Sequence, residues 1–210
     1  MTRWLIIAFL MALASLSHWQ VAPAQQGRAP AVVINEIAWA GTAASVSDEW
    51  IELYNNTAQD IDLTGWTLSW AKVSIHFEEG QEGSSTKTVN GSVIPAHGFY
   101  LLERTDDNTV SDIDADLVYT GLLSNKGVSL VLRDERDVIV DTTNNDGGAW
   151  TAGTAGKAEV PYASMERIDP RVGDTLGNWA SNDGQTRNGL DAKGDPLNGT
   201  PKEENSVFGS

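Results

Sequence analysis

The residues of this chain with most capacity for chemistry are its carboxylates. They are dense in DEWIELYNNTAQDIDLTGWTLSW, residues 48–70, where five acids lie among three tryptophans. Two carboxyl groups across a cleft, ~5–5.5 or ~6.5–9.5 Å apart according to mechanism, are what a glycoside hydrolase requires. Aromatic rings beside such a pair would stack on sugar faces. Within this stretch, however, DEWIELYN alternates as a strand does, with Ile51 and Leu53 on one face and Trp50, Glu52 and Tyr54 on the other. Glu49 and Glu52 then point to opposite sides and cannot pair within that strand. The chain has 29 acidic residues, so chance proximity elsewhere carries little weight. The expectation is acids spread over solvent.

Other chemistries have fewer supports. Beyond the N-terminal segment the histidines are His76, between Ile75 and Phe77, and His97, in the turn Pro95-Ala96-His97-Gly98. Neither stands near a Gly-x-Ser-x-Gly elbow, and two imidazoles without cysteine are a poor zinc set. No catalytic or cofactor-binding residue is assigned. Calcium is the one cofactor left open. RTDDNTVSDIDAD (104–116), TTNNDGG (142–148) and DAKGDPLNG (191–199) gather oxygen ligands, though none follows EF-hand spacing. In an extended segment Asp112, Asp114 and Asp116 share one side, which suits either one hard cation or a solvated acidic face.

The elements that must position these groups read as strands. AVVINEI (31–37), DEWIELYN (48–55), WTLSW (66–70), VSIHFE (73–78), GFYLLE (98–103), LVYT (117–120), VSLVLRD (128–134), VIVDTT (138–143) and ASMERI (163–168) are short and rich in β-branched and aromatic residues. Gly, Asn, Asp or Pro bounds them. Asn90-Gly91 is a tight-turn dipeptide expected to join its flanking strands into a hairpin. From Asp169 onward apolar residues thin out, which reads as irregular surface chain anchored by Trp179. Trp66 and Trp150 read as core anchors. Trp39, Trp50 and Trp70 are harder to bury together, so they either stand exposed as binding platforms or are covered by loops.

Residues 1–24 read as a secretory signal peptide: Arg3 supplies charge, residues 4–16 an uncharged apolar run, and Ala22-Pro-Ala24 a small-residue cleavage site. The run is shorter than the about 20 residues a spanning helix needs. A short linker (25–30), a domain over 31–205 whose loop-rich part starts near 169, and a tail (206–210) follow. The net charge of −15 makes nucleic acid and anionic lipid poor partners and leaves cations, neutral sugars or proteins. With no cysteine, disulfides, thiol nucleophiles and thiolate metal sites are excluded.

In order, VVINEI (32–37), DEWIELYN (48–55), DLTGWTL (62–68), IPAHGFYLL (94–102), GVSLVLRD (127–134) and VIVDT (138–142) resemble the lamin-tail domain, bacterial secreted type. GAW (148–150), SMER (164–167), NW (178–179) and GTPKEEN (199–205) are similar to the C-terminal half of those bacterial versions. The resemblance implies an all-β fold, an immunoglobulin-like antiparallel β-sandwich, here with an irregular C-terminal extension. In it, Gly65 would take a bend that turns Trp66 into the core between Leu63 and Leu68. The function implied is a secreted, non-enzymatic binding or assembly module for an extracellular or cell-surface protein or polysaccharide. A carbohydrate-binding module using exposed tryptophans and a glycoside hydrolase are the alternatives.

Overall fold

A computed structural model describes residues 29–78, 86–157 and 159–210. Residues 1–24, expected to be a signal peptide, and the expected linker apart from residues 29 and 30 lie outside the described residues. The described residues hold thirteen strands: β1 Val32–Ala38, β2 Trp50–Asn55, β3 Ile61–Asp62, β4 Thr67–Trp70, β5 Val73–His76, β6 Thr86–Thr88, β7 Val93–Ile94, β8 Phe99–Arg104, β9 Leu117–Tyr119, β10 Leu130–Arg133, β11 Ile139–Thr143, β12 Met165–Arg167 and β13 Trp179–Ser181. One turn of 3₁₀ helix, Leu176–Asn178, precedes β13. All nine strands expected from sequence are present.

The strands form a seven-stranded sheet in the order β13-β12-β1-β2-β8-β9-β6, a four-stranded sheet β11-β10-β4-β5 and a small β3-β7 pair. Apolar side chains from both larger sheets meet in one core, including Ile34, Ile37, Ile51, Leu53, Leu68 and Leu132. This is the expected sandwich, antiparallel except where β8 and β9 run parallel. Segment 105–116 makes that crossover, held down because Glu103 accepts the Thr109 and Val110 N–H groups. At the predicted bend Gly65 has φ +83 and Trp66 is buried beside fully buried Leu63 and Leu68.

Two expectations are corrected here. Asn90-Gly91 does not close a hairpin: β6 before it pairs with β9, and β7 after it pairs with β3. The dipeptide instead passes the chain between sheets, with Asn90 bonding the Ala115 carbonyl and Gly91 accepting the Tyr100 hydroxyl. Nor is the C-terminal extension only surface chain. Leu197, Thr200, Pro201, Asn205 and Val207 are buried. Residues 196–207 run as a strap over the outer face of the seven-stranded sheet, where Leu197 packs with Ala38, Trp50, Leu101 and Val110 in a second cluster. That sheet is therefore covered on both faces, by the sandwich core and by irregular chain.

An ion pair links the two sheets. Arg167 of β12 and Asp141 of β11 meet at 2.5 Å with both side chains almost fully buried. Asp141 also accepts the Ile34 N–H, and Arg167 donates to the Ile34 carbonyl. Its guanidinium lies 4.5 Å from the Trp179 ring centre. Such a pair stabilises little by itself, but removing one member leaves a charge buried without its partner.

Candidate functional site

The polar feature most distinctive of this fold is a row of glutamates across the outer face of the seven-stranded sheet. Glu36 in β1 is directly opposite Glu52 in β2 and Glu166 in β12. All three are fully buried, which corrects the expectation of acids spread over solvent. A β-bulge brings them together. In strict alternation Glu36 would follow Val32 and Ile34 into the apolar core. The register shifts between Ile34 and Glu36, so that Ile37 returns to the core and Glu36 turns outward.

The strap, with Ser164 and Asn182 beside it, supplies the partners. Ser164 Oγ and the Thr200 N–H donate to Glu36 Oε1 at 2.6 and 2.9 Å. The Lys202 N–H donates to Glu52 Oε2 at 2.6 Å, while Asn182 and Ser206 serve Glu166. Thr200 Oγ1 lies 2.9 Å from Glu36 Oε2 and 3.2 Å from Glu166 Oε1, yet has one hydrogen. One hydrogen cannot serve both carboxylates, and a proton on Glu36 Oε2 would supply the missing donor. Burial, then the charges of Glu166 and Glu52, raise the Glu36 pKa well above the ordinary carboxylate range. Burial pushes Glu52 up to about 8, against the opposing pull of the Lys202 and Asn35 hydrogen bonds.

The remaining acids have structural posts. Glu49 faces the other way from Glu52, as alternation predicts, accepting the Leu123 N–H at 2.7 Å and lying 3.4 Å from Arg104. Burial pushes Glu49 up to about 7 and Glu103 to about 8. The three aspartates proposed for calcium are drawn to different places. Asp112 accepts the Leu190 N–H, Asp114 is exposed, and Asp116 accepts the Leu101 N–H and pairs with Lys202. Their segment turns instead of extending. Among the described residues no group of three His, Cys, Asp or Glu side chains could hold a metal ion. His76 is exposed beside Ser74, and His97 occupies its turn with φ +52.

The six tryptophans among the described residues are packed. Trp39, Trp50, Trp66, Trp70 and Trp179 are buried and Trp150 half-buried, with Trp39 and Trp150 stacked at 6.0 Å. The Trp39, Trp70 and Trp150 indole N–H groups each donate to a backbone carbonyl. Loops cover them, so the exposed-platform expectation is not met. Open concavities flank the glutamate row instead. Near Trp50 a groove of about 700 Å³ runs past Tyr162, Lys157 and Arg187. Near Tyr54 a pocket of about 380 Å³ lies against Phe99, Phe208, Glu203 and Glu204.

A family comparison matches the Lamin Tail Domain over residues 25–146. This chain belongs to the lamin tail domain family. Among curated proteins none matches it. The matched lamin tail region holds β1 to β11, including Glu36, Glu49, Glu52 and Glu103. β12, β13 and the strap follow it. Sequence reasoning missed the buried row because its partners are polar. The visible signal was Asn35-Glu36 interrupting the apolar alternation between Ile34 and Ile37.

Proposed function

We propose that this lamin tail domain is an exported, non-catalytic binding module that docks a protein or polymer partner outside the cell. The observation that carries it is the saturation of the buried glutamates: donors of the chain itself occupy Glu36, Glu52 and Glu166 under the strap. An acid–base pair needs a proton-transfer group facing a substrate. Here the raised carboxyls face Thr200 and the Lys202 backbone. The family is a non-enzymatic, immunoglobulin-like one, and such domains serve as interaction modules. Export is supported by the apolar run after Arg3. The net charge of −15 argues against nucleic acid as partner.

The test is incubation of the protein with polysaccharides, nucleic acids and phosphate esters, with and without millimolar calcium, followed by product analysis and a retention assay. The expected outcome is retention of a partner and no product. Turnover abolished by one Glu or Asp substitution would establish a hydrolase instead.

A further inference from the structure

The pocket at the Tyr54 end of the outer face combines aromatic surface with unneutralised negative charge. Tyr54 and Phe99 are cross-strand neighbours on β2 and β8, their rings 5.0 Å apart at 40°. Phe208, beyond the strap, is 41% exposed and completes the aromatic lining. Glu203 and Glu204 stand exposed at the mouth, and among the described residues no ion pair includes either. The charge of Glu204 reaches the Tyr54 phenol, whose pKa is raised by burial first and by that carboxylate second.

The two arginines lining the pocket do not cancel this charge. Arg167 is fully buried and committed to Asp141 and to backbone carbonyls. Arg171 is held by both oxygens of Asp169, at 2.8 and 3.1 Å. It also lies 5.9 Å from the Phe208 ring centre, so one aromatic face already carries a cation of the chain itself. The amide donors that a sugar would need are spent. Asn56 Nδ2 serves the Pro30 and Pro170 carbonyls, and Asn35 Nδ2 serves Asn205.

We propose that this pocket receives a lysine or arginine side chain of a basic partner segment, with Tyr54, Phe99 and Phe208 offering ring faces and Glu203 and Glu204 the countercharge. The inference rests on the binding-module reading and names the partner's chemistry. Ring quadrupoles attract a cation, and carboxylates at the rim fix its approach. At net charge −15 the whole molecule steers basic segments inward, faster at low ionic strength.

The experiment titrates terminally blocked tetralysine into the full chain by calorimetry at low salt, with the Tyr54 and Phe208 ring resonances followed in parallel. Binding is expected to shift both rings. It should weaken about tenfold or more in Glu203→Gln/Glu204→Gln and clearly in Phe208→Ala, both at exposed positions. A remote variant removing equal charge, Glu135→Gln/Asp137→Asn, should bind nearly as the parent does. Absence of binding, or equal weakening by the remote variant, overturns the proposal. So does a neutral cello-oligosaccharide that shifts these rings when tetralysine does not. Polymer turnover alongside intact, pocket-specific tetralysine binding would sink only the non-catalytic reading; the reverse pattern would sink only the pocket.

Discussion

Glu36 has acidic neighbours on both sides, Glu52 and Glu166, and no surface exposed to solvent. Three ionised carboxylates in such a row would repel one another in a medium that screens poorly, so at least one must hold a proton. If Glu36 is that one, Glu36→Gln keeps its shape and hydrogen-bond count, and the unfolding midpoint should change by about 2 °C or less. Glu36→Ala strands the Ser164 hydroxyl and the Thr200 N–H. At about 1–3 kcal/mol for each unsatisfied group, its midpoint should fall by roughly 5–15 °C. Scanning calorimetry of the two variants separates the cases, and an equal fall in both would contradict the protonated state. Only part of this was visible in the sequence. The opposite facing of Glu49 and Glu52 follows from strand period, whereas the burial of Glu36 depends on a bulge and on Thr200, 164 positions away.

The strap couples the row to the fold, and Gly199 sets how closely it lies. A Cβ there would stand 2.8 Å from Trp50 Cζ2 and 3.0 Å from Glu36 Oε1, both on the sheet beneath. Gly199→Ala should therefore lift the strap and cost about 1–3 kcal/mol, as overpacking does. Gly173→Ala is the control, since a Cβ there meets nothing within 4 Å. Urea unfolding of both checks this, and equal midpoints would deny the close approach. Long strands such as β1, β2, β8 and β11 were legible because each repeats an apolar face. β3, β6, β7 and β13, of two or three residues, show no period of their own; β9 and β12 are as short but lie within the longer runs LVYT (117–120) and ASMERI (163–168). The strap escaped notice because polar residues make its contacts: Thr200, Asn205 and Ser206 dock by hydrogen bonds that apolar patterning does not register.

Among the described residues the carboxyl groups with large shifts all move upward. Folding raises Asp141 to about 6, Glu49 to about 7 and Glu52 and Glu103 to about 8, burial being the first cause in each, and burial likewise raises Glu36 well above the ordinary carboxylate range. Between the ordinary carboxylate values and these, the folded chain binds more protons than the unfolded one. Stability therefore falls as pH rises through that window and returns as pH falls. The facing groups moderate this but do not reverse it: Arg104 beside Glu49, Lys202 beside Glu52 and Arg167 beside Asp141 favour ionisation, while Asp106 and Asp107 oppose it at Glu103. Asp62, Asp134, Asp169 and Asp183 are shifted down by hydrogen bonds and act oppositely, losing their contribution only below the ordinary aspartate range. Net charge works with the buried acids, because the sequence pI of 4.4 places least self-repulsion at acidic pH. The unfolding midpoint should thus be highest near pH 4–5 (about) and decline steadily to about pH 8.5. Glu52→Gln should flatten the part of that decline around pH 8, since it removes one titrating group there. Calorimetry across this range at fixed ionic strength reads the slope, and a midpoint that climbs toward alkaline pH would show that the buried glutamates fold already ionised.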